Sequence, residues 1–207
     1  MSDLDPLARA SASRQPRPEP VRRRGEPFFD DLVGSRYSPL LVRRTLHGML
    51  VEQYQEADRV QTVRVWGGAQ AVGNDRYLYG LEQAPRLNAA LPGAEFLRPS
   101  GSLLYGIADA WVYPMRYGDT ADDCPTSAQI DDESQIQRML AQGRFHDTPT
   151  LFDPDPATPR KVVWLLFTGN AVEGGPLAAY LALPGGRLPN RRVDWPHICL
   201  LYTSRCV

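Results

Sequence analysis

The residues best suited to chemistry form an acidic group, Asp109, Asp119, Asp122 and Asp123, followed downstream by His146-Asp147. Carboxylates gathered in a loop suit hard divalent cations, and an imidazole beside them is the usual borderline addition. In a metal-assisted hydrolase such a set holds Mg²⁺ or Mn²⁺ and activates a water molecule. Asp119, Asp122, Asp123, His146 and Asp147 are therefore the candidate metal ligands, and a divalent cation is the cofactor this reading implies. The spacing follows no calcium-loop rule, because the glycine and terminal glutamate of that loop are missing. The competing reading is a solvated loop, with Asp132 capping the helix after it.

Thr168-Gly169-Asn170 is a second candidate, this time for ligand binding, directly after the most apolar run in the chain. Sheets with parallel strands hold ligands beyond the strand carboxyl ends, where small residues and free amides meet. Glu173 and Gly174-Gly175 extend the polar stretch, yet no Gly-x-Gly-x-x-Gly accompanies it, and a plain turn explains it as well. The loop from Gly67 to Gly73 lacks the Lys-Ser/Thr pair of a phosphate loop and reads as a hairpin turn. Trp111, Tyr113 and Tyr117, with Arg98 and Arg116 nearby, have the composition to stack bases or hold an anionic ligand; they serve equally as strand core with edge arginines. Nucleophiles are few. Cys124 stands between Asp123 and Pro125, poor surroundings for a reactive thiolate. Pro99-Ser100-Gly101-Ser102 lacks the first glycine of a nucleophile elbow.

These residues need elements to position them. Ser38-Pro39 makes a helix start, and Val42, Leu46, Met49, Leu50 and Tyr54 recur on one helical face to about Ala57, with His47 beside it. The β-branched run Val60–Trp66 then predicts a strand, paired through a turn with Tyr77–Tyr79. Pro85 to Leu91 holds a helical turn or two. Leu103–Ile107 and Ala110–Met115 predict two strands, with Pro114 placing the second near an edge or a bulge. Asp132 with Gln135 makes a capping box for a short helix bearing Ile136, Met139 and Leu140, and Gly143 stands where it should stop. Lys161–Phe167 predicts a strand buried on both faces. Pro176 to Leu183 fits a helix or a strand, and Val193–Trp195 begins another strand. The pattern predicts an α+β fold: a mixed or mostly antiparallel sheet with a few covering helices.

Composition narrows the class. At 43% hydrophobic and 23% charged residues the chain has the make-up of a soluble globular protein. A formal net charge of -1 offers no global field for holding nucleic acid, so a nucleic-acid partner is not expected. Lys161 is the only lysine among 23 basic residues, the bias of a G+C-rich bacterial gene. No apolar run approaches the ~20 residues of a membrane span, and the N-terminus lacks the plan of a secretory signal. A cytoplasmic location is the expectation.

Residues 1–27 are polar and rich in proline and arginine, which predicts a disordered arm; its Arg22-Arg23-Arg24 cluster, diluted by Glu19 and Glu26, reads as a solvated tail, with contact to phosphate or to an acidic protein partner as the competing reading. A single domain is expected over 28–198. The nine residues after Ile198 read differently. Cys199 to Val207 can be written in codons as TGT-CTC-TTA-TAC-ACA-TCT-AGA-TGT-GTA, which matches a transposon-end sequencing adapter joined to its own reverse complement. We therefore expect 199–207 to be translated adapter and the domain to be truncated there; the alternative is a natural, short apolar strand carrying two cysteines. Cys124 then stands alone, which excludes a disulfide framework from the remainder. By elimination the expected function is a non-enzymatic cytoplasmic accessory or interaction module; the alternative is a metal-dependent hydrolase built on the aspartate loop with His146 and Asp147.

Overall fold

A run as apolar as Val162 to Phe167 has no polar side to turn to water, so it needs cover on both faces. In the computed structural model it forms the central strand of a six-stranded sheet. The structure describes residues 26–63, 80, 82–99, 102–127, 135–143, 160–169, 175–189 and 191–203. The elements in chain order are α1 (Glu26–Val33), α2 (Pro39–Val63), α3 (Ala84–Ala90), β1 (Glu95–Leu97), β2 (Leu104–Ile107), β3 (Ala110–Gly118), α4 (Gln135–Ala141), β4 (Lys161–Thr168), β5 (Ala178–Leu183), β6 (Gly186–Arg187), β7 (Val193–Asp194) and β8 (His197–Thr203).

The sheet order is β1-β2-β3-β4-β5-β8. Every neighbouring pair is antiparallel except β3 and β4, which run parallel with Trp111 beside Val162 and Gly118 beside Thr168. The fold is α+β with a mixed, mostly antiparallel sheet. Alternation along β4 sends Val163, Leu165 and Phe167 to one face and Val162, Trp164 and Leu166 to the other. The first face is covered by α1 and α2 through Phe29, Leu46, Leu50 and Tyr54. The second is covered by Leu140 and Ala141 of α4 and by Val193 of the β6–β7 ribbon. Trp164 is fully buried on that side and donates from its indole nitrogen to the Leu140 carbonyl at 3.3 Å. Each Leu, Ile or Phe removed from water in this way contributes about 1.5–3 kcal/mol.

Several expectations gain detail. β2, β3 and β4 occur where the patterns placed them, and the α4 helix ends just ahead of Gly143. Pro114 lies in an inner strand, yet β2 pairs only with Ala110 to Val112, so Pro114 has a ladder partner on the β4 side alone. The register shift between Arg116 and Gly118 supplies a bulge as well. The ambiguous segment resolves as strand β5, because between β4 and β8 its backbone finds partners on both sides. His47 is half-buried, its ring stacked 4.0 Å from Tyr202 of β8, and burial lowers its pKa below the ordinary imidazole value.

One expectation is corrected. The strand predicted from Val60 does not form there: α2 continues through Val63. Extending an existing helix adds one hydrogen bond per residue ordered, and that outweighs the small helix penalty of valine and threonine. Arg59 also grips Glu56 one turn back, at 2.8 and 2.5 Å. Residues 64–66, the Gly67 to Gly73 loop and Tyr77–Tyr79 lie outside the described residues, as does the arm before Glu26. The boundary expected after Ile198 falls inside β8, where Cys199 packs into the helix-covered core and Leu200 is exposed.

Candidate functional site

The parallel pairing of β3 with β4 places the ends of both strands side by side, and two of the candidate groups meet there. β3 ends at Gly118 and leads into Asp119-Thr120-Ala121-Asp122-Asp123; β4 ends at Thr168 and leads into Gly169. The Gly169 amide donates to the Gly118 carbonyl at 3.2 Å, and the Leu177 amide donates to the Thr168 carbonyl at 2.9 Å. The aspartate loop and the Thr168-Gly169 turn are therefore one polar rim at the carboxyl end of the sheet's parallel pair.

The rim's polar groups hold one another. Arg116 donates to the Gly169 carbonyl at 3.1 Å and pairs with the Asp119 carboxylate. Their side chains are 46% and 68% exposed, so the ion pair itself contributes at most about 1 kcal/mol. Asp123 turns back over its own loop, where one carboxylate oxygen accepts the Asp119 amide at 2.7 Å and the Thr120 amide at 2.8 Å. This close approach explains Gly118, since a Cβ there would overlap the Asp123 side chain. The Tyr117 hydroxyl donates to the Asp123 carbonyl at 3.2 Å, and Cys124 lies 3.0 Å from the Thr126 hydroxyl. At Gly169 the Gly175 carbonyl would lie 2.7 Å from an added Cβ, with the Tyr54 hydroxyl also crowding that position.

The electrostatics favour neutral phenols. Burial pushes the Tyr117 pKa far above its ordinary value, and the neighbouring Tyr180, Cys124 and Asp123 push it further. Tyr180, whose ring lies 6.3 Å from that of Tyr117, is raised by burial and then by Cys124. Both remain protonated hydrogen-bond donors at neutral pH. The rim thus presents exposed carboxylates on a loop braced by its own backbone amides, with two phenols behind it.

Among the described residues no group of three His, Cys, Asp or Glu side chains converges as a metal site would require. His146, Asp147 and Asn170 lie outside the described residues. Asp109 sits in the β2–β3 turn, at the opposite end of β3 from Asp119, where its carbonyl accepts the Lys161 amide at 3.0 Å. Arg98 follows β1, two strands from β3 and several residues short of Gly118, roughly 15 Å from the rim by strand spacing and rise. Trp111 and Tyr113 are buried in the second core, with Tyr113 edge-on to Trp164 at 4.6 Å; they pack rather than stack a ligand.

Three contributors were not singled out from sequence. Tyr54 was read as helix face alone, Tyr180 lay in the segment of undecided structure, and the Arg116 link to Gly169 spans two distant stretches. Only the Tyr54 position had a local signal, as the last residue of the apolar stripe. Comparison with protein families, curated proteins and solved structures returns no match.

Proposed function

We propose that this chain is a non-enzymatic interaction module of the bacterial cytoplasm. The observation that carries the reading is the mutual commitment of the rim's polar groups: Asp123 braces the loop amides and Arg116 ties Asp119 to the Gly169 carbonyl. A loop braced in this way presents a surface of fixed shape, whereas a metal or general-base site needs its carboxylates turned toward a substrate. The Arg22-Arg23-Arg24 arm adds a tethered contact for a protein partner.

A second reading, the metal-dependent hydrolase, has one observation in its favour: Asp119, Asp122 and Asp123 share a short loop at the carboxyl end of a parallel strand pair. Titration calorimetry with Mn²⁺ separates the two. The module reading expects no saturable heat, or a heat unchanged in Asp122→Ala and His146→Ala. Saturable binding lost in both variants, with metal-dependent turnover lost alongside it, overturns it.

A further inference from the structure

The sheet edge at β1 is fastened by one side chain that reaches it from a central strand. Among the described residues β1 pairs with β2 alone, through Glu95 with Gly106, Phe96 with Tyr105 and Leu97 with Leu104. Glu95, Gly106, Trp111 and Val162 stand in one register row from β1 to β4. Arg160 directly precedes β4, two residues before Val162. Its guanidinium lies over the Trp111 ring at 4.8 Å and donates to both carboxylate oxygens of Glu95, at 3.0 and 2.8 Å. The crossing needs a glycine beneath it: a Cβ at Gly106 would lie 2.6 Å from an Arg160 nitrogen and 2.7 Å from the Trp111 ring.

Single-contact ion pairs in water hold little, and paired contacts on a side chain that is itself held are the exception. The Arg160 side chain is only 25% exposed, and its fork matches the carboxylate as a lysine ammonium would not. What lies behind this latch is β2. Leu104, Tyr105, Gly106 and Ile107 are all buried, and the strand holds neither a charge nor a proline. Natural edge strands are kept from pairing with other chains by short length, charge or proline. β1 has these features: it is three residues long, begins with Glu95 and is followed by Pro99. Without β1, the edge of β2 is apolar and its outward backbone groups are unpaired, a template for another strand.

We infer that β1 is a protective edge strand latched by Arg160, and that unlatching it lets the β2 edges of two copies of this chain pair into one continuous sheet. The second copy is the occupant because every opened molecule supplies the same apolar edge, and two identical strands related by a two-fold axis pair antiparallel. The latch stands whether or not the chain is an interaction module.

The test combines amide-resolved hydrogen exchange on the full chain with sedimentation velocity at rising concentration, for the parent, Arg160→Glu and the milder Glu95→Gln. The expected result is exchange faster by roughly tenfold or more at 95–97 and at the β2 amides facing β1, with β4 and β5 changed less than about twofold. Both variants should also self-associate more strongly than the parent, Arg160→Glu the more so, with the added protection from exchange at 104–107 as concentration rises. The proposal is overturned if β1 exchange is unchanged in both variants, or if β4 and β5 accelerate equally, which would mark a general loss of stability. It is likewise overturned if β1 opens without added self-association, or if the added protection maps away from β2.

Discussion

The aspartate rim, at the end of the six-stranded sheet, and the separate β6–β7 ribbon packed on that sheet's second face are both polar surface features, and they are organised in opposite ways. At the rim, charges face inward onto backbone: Asp123 onto two amides, Arg116 onto a carbonyl and a carboxylate. At the ribbon, main-chain groups close on each other, and Leu188 and Arg191 are exposed.

The largest expected effect tests whether the ribbon depends on the sheet. Trp164→Ala removes the ring beneath Trp195 and the bond to Leu140, and should lower stability by about 3–5 kcal/mol in chemical denaturation. Hydrogen exchange in that variant should rise sooner over 185–196 than over 118–124. Equal protection in both would show that the ribbon is held by something other than this seat.

Asp123→Ala sharpens the contrast from the rim. Two backbone amides lose their acceptor, which should cost about 1–2 kcal/mol and accelerate exchange at Asp119 and Thr120. Arg191→Gly goes the other way: relief of the left-handed conformation should raise stability by about 1 kcal/mol in thermal melts. A variant no more stable than the parent would undo the strain argument.

The smallest effect is a pH dependence. The Tyr105, Tyr113, Tyr117 and Tyr180 phenols are all raised above the ordinary value of 10.0, chiefly by burial. Above that pH the unfolded chain loses phenolic protons that the folded chain keeps, so stability falls as pH rises, and the loss begins near pH 10. Tyr117→Phe should flatten the alkaline limb, because the carboxylate and thiol of the rim add to its shift. Stability profiles of the two proteins that superimpose from pH 9 upward, about a unit below the phenol value, would remove that contribution.

Much of the fold was legible. The double-sided apolar run of β4, the strands around the Ala108-Asp109 turn and the stripe from Val42 to Tyr54 are local patterns whose burial follows from their own periodicity. The site was legible only in parts. Asp119 to Asp123 and Thr168-Gly169 were each recognisable as polar strand ends, but nothing within either stretch states that they adjoin, since their contact depends on two strands pairing across a long connection. The Val60 error has the same origin in reverse: a few β-branched residues were weighed by themselves, while a helix already formed over twenty positions carried them along.

By itself the sequence determined which stretches had to be buried, because apolar period and turn chemistry are written residue by residue. Tertiary structure alone decided that β3 and β4 run parallel, that Ala178–Leu183 becomes a strand, that Asp123 serves its own loop, and that Arg191 stands at an exposed turn with positive φ. Those outcomes depend on which backbone hydrogen-bonding groups find partners across the sheet, a property of the assembled neighbours and not of any single segment.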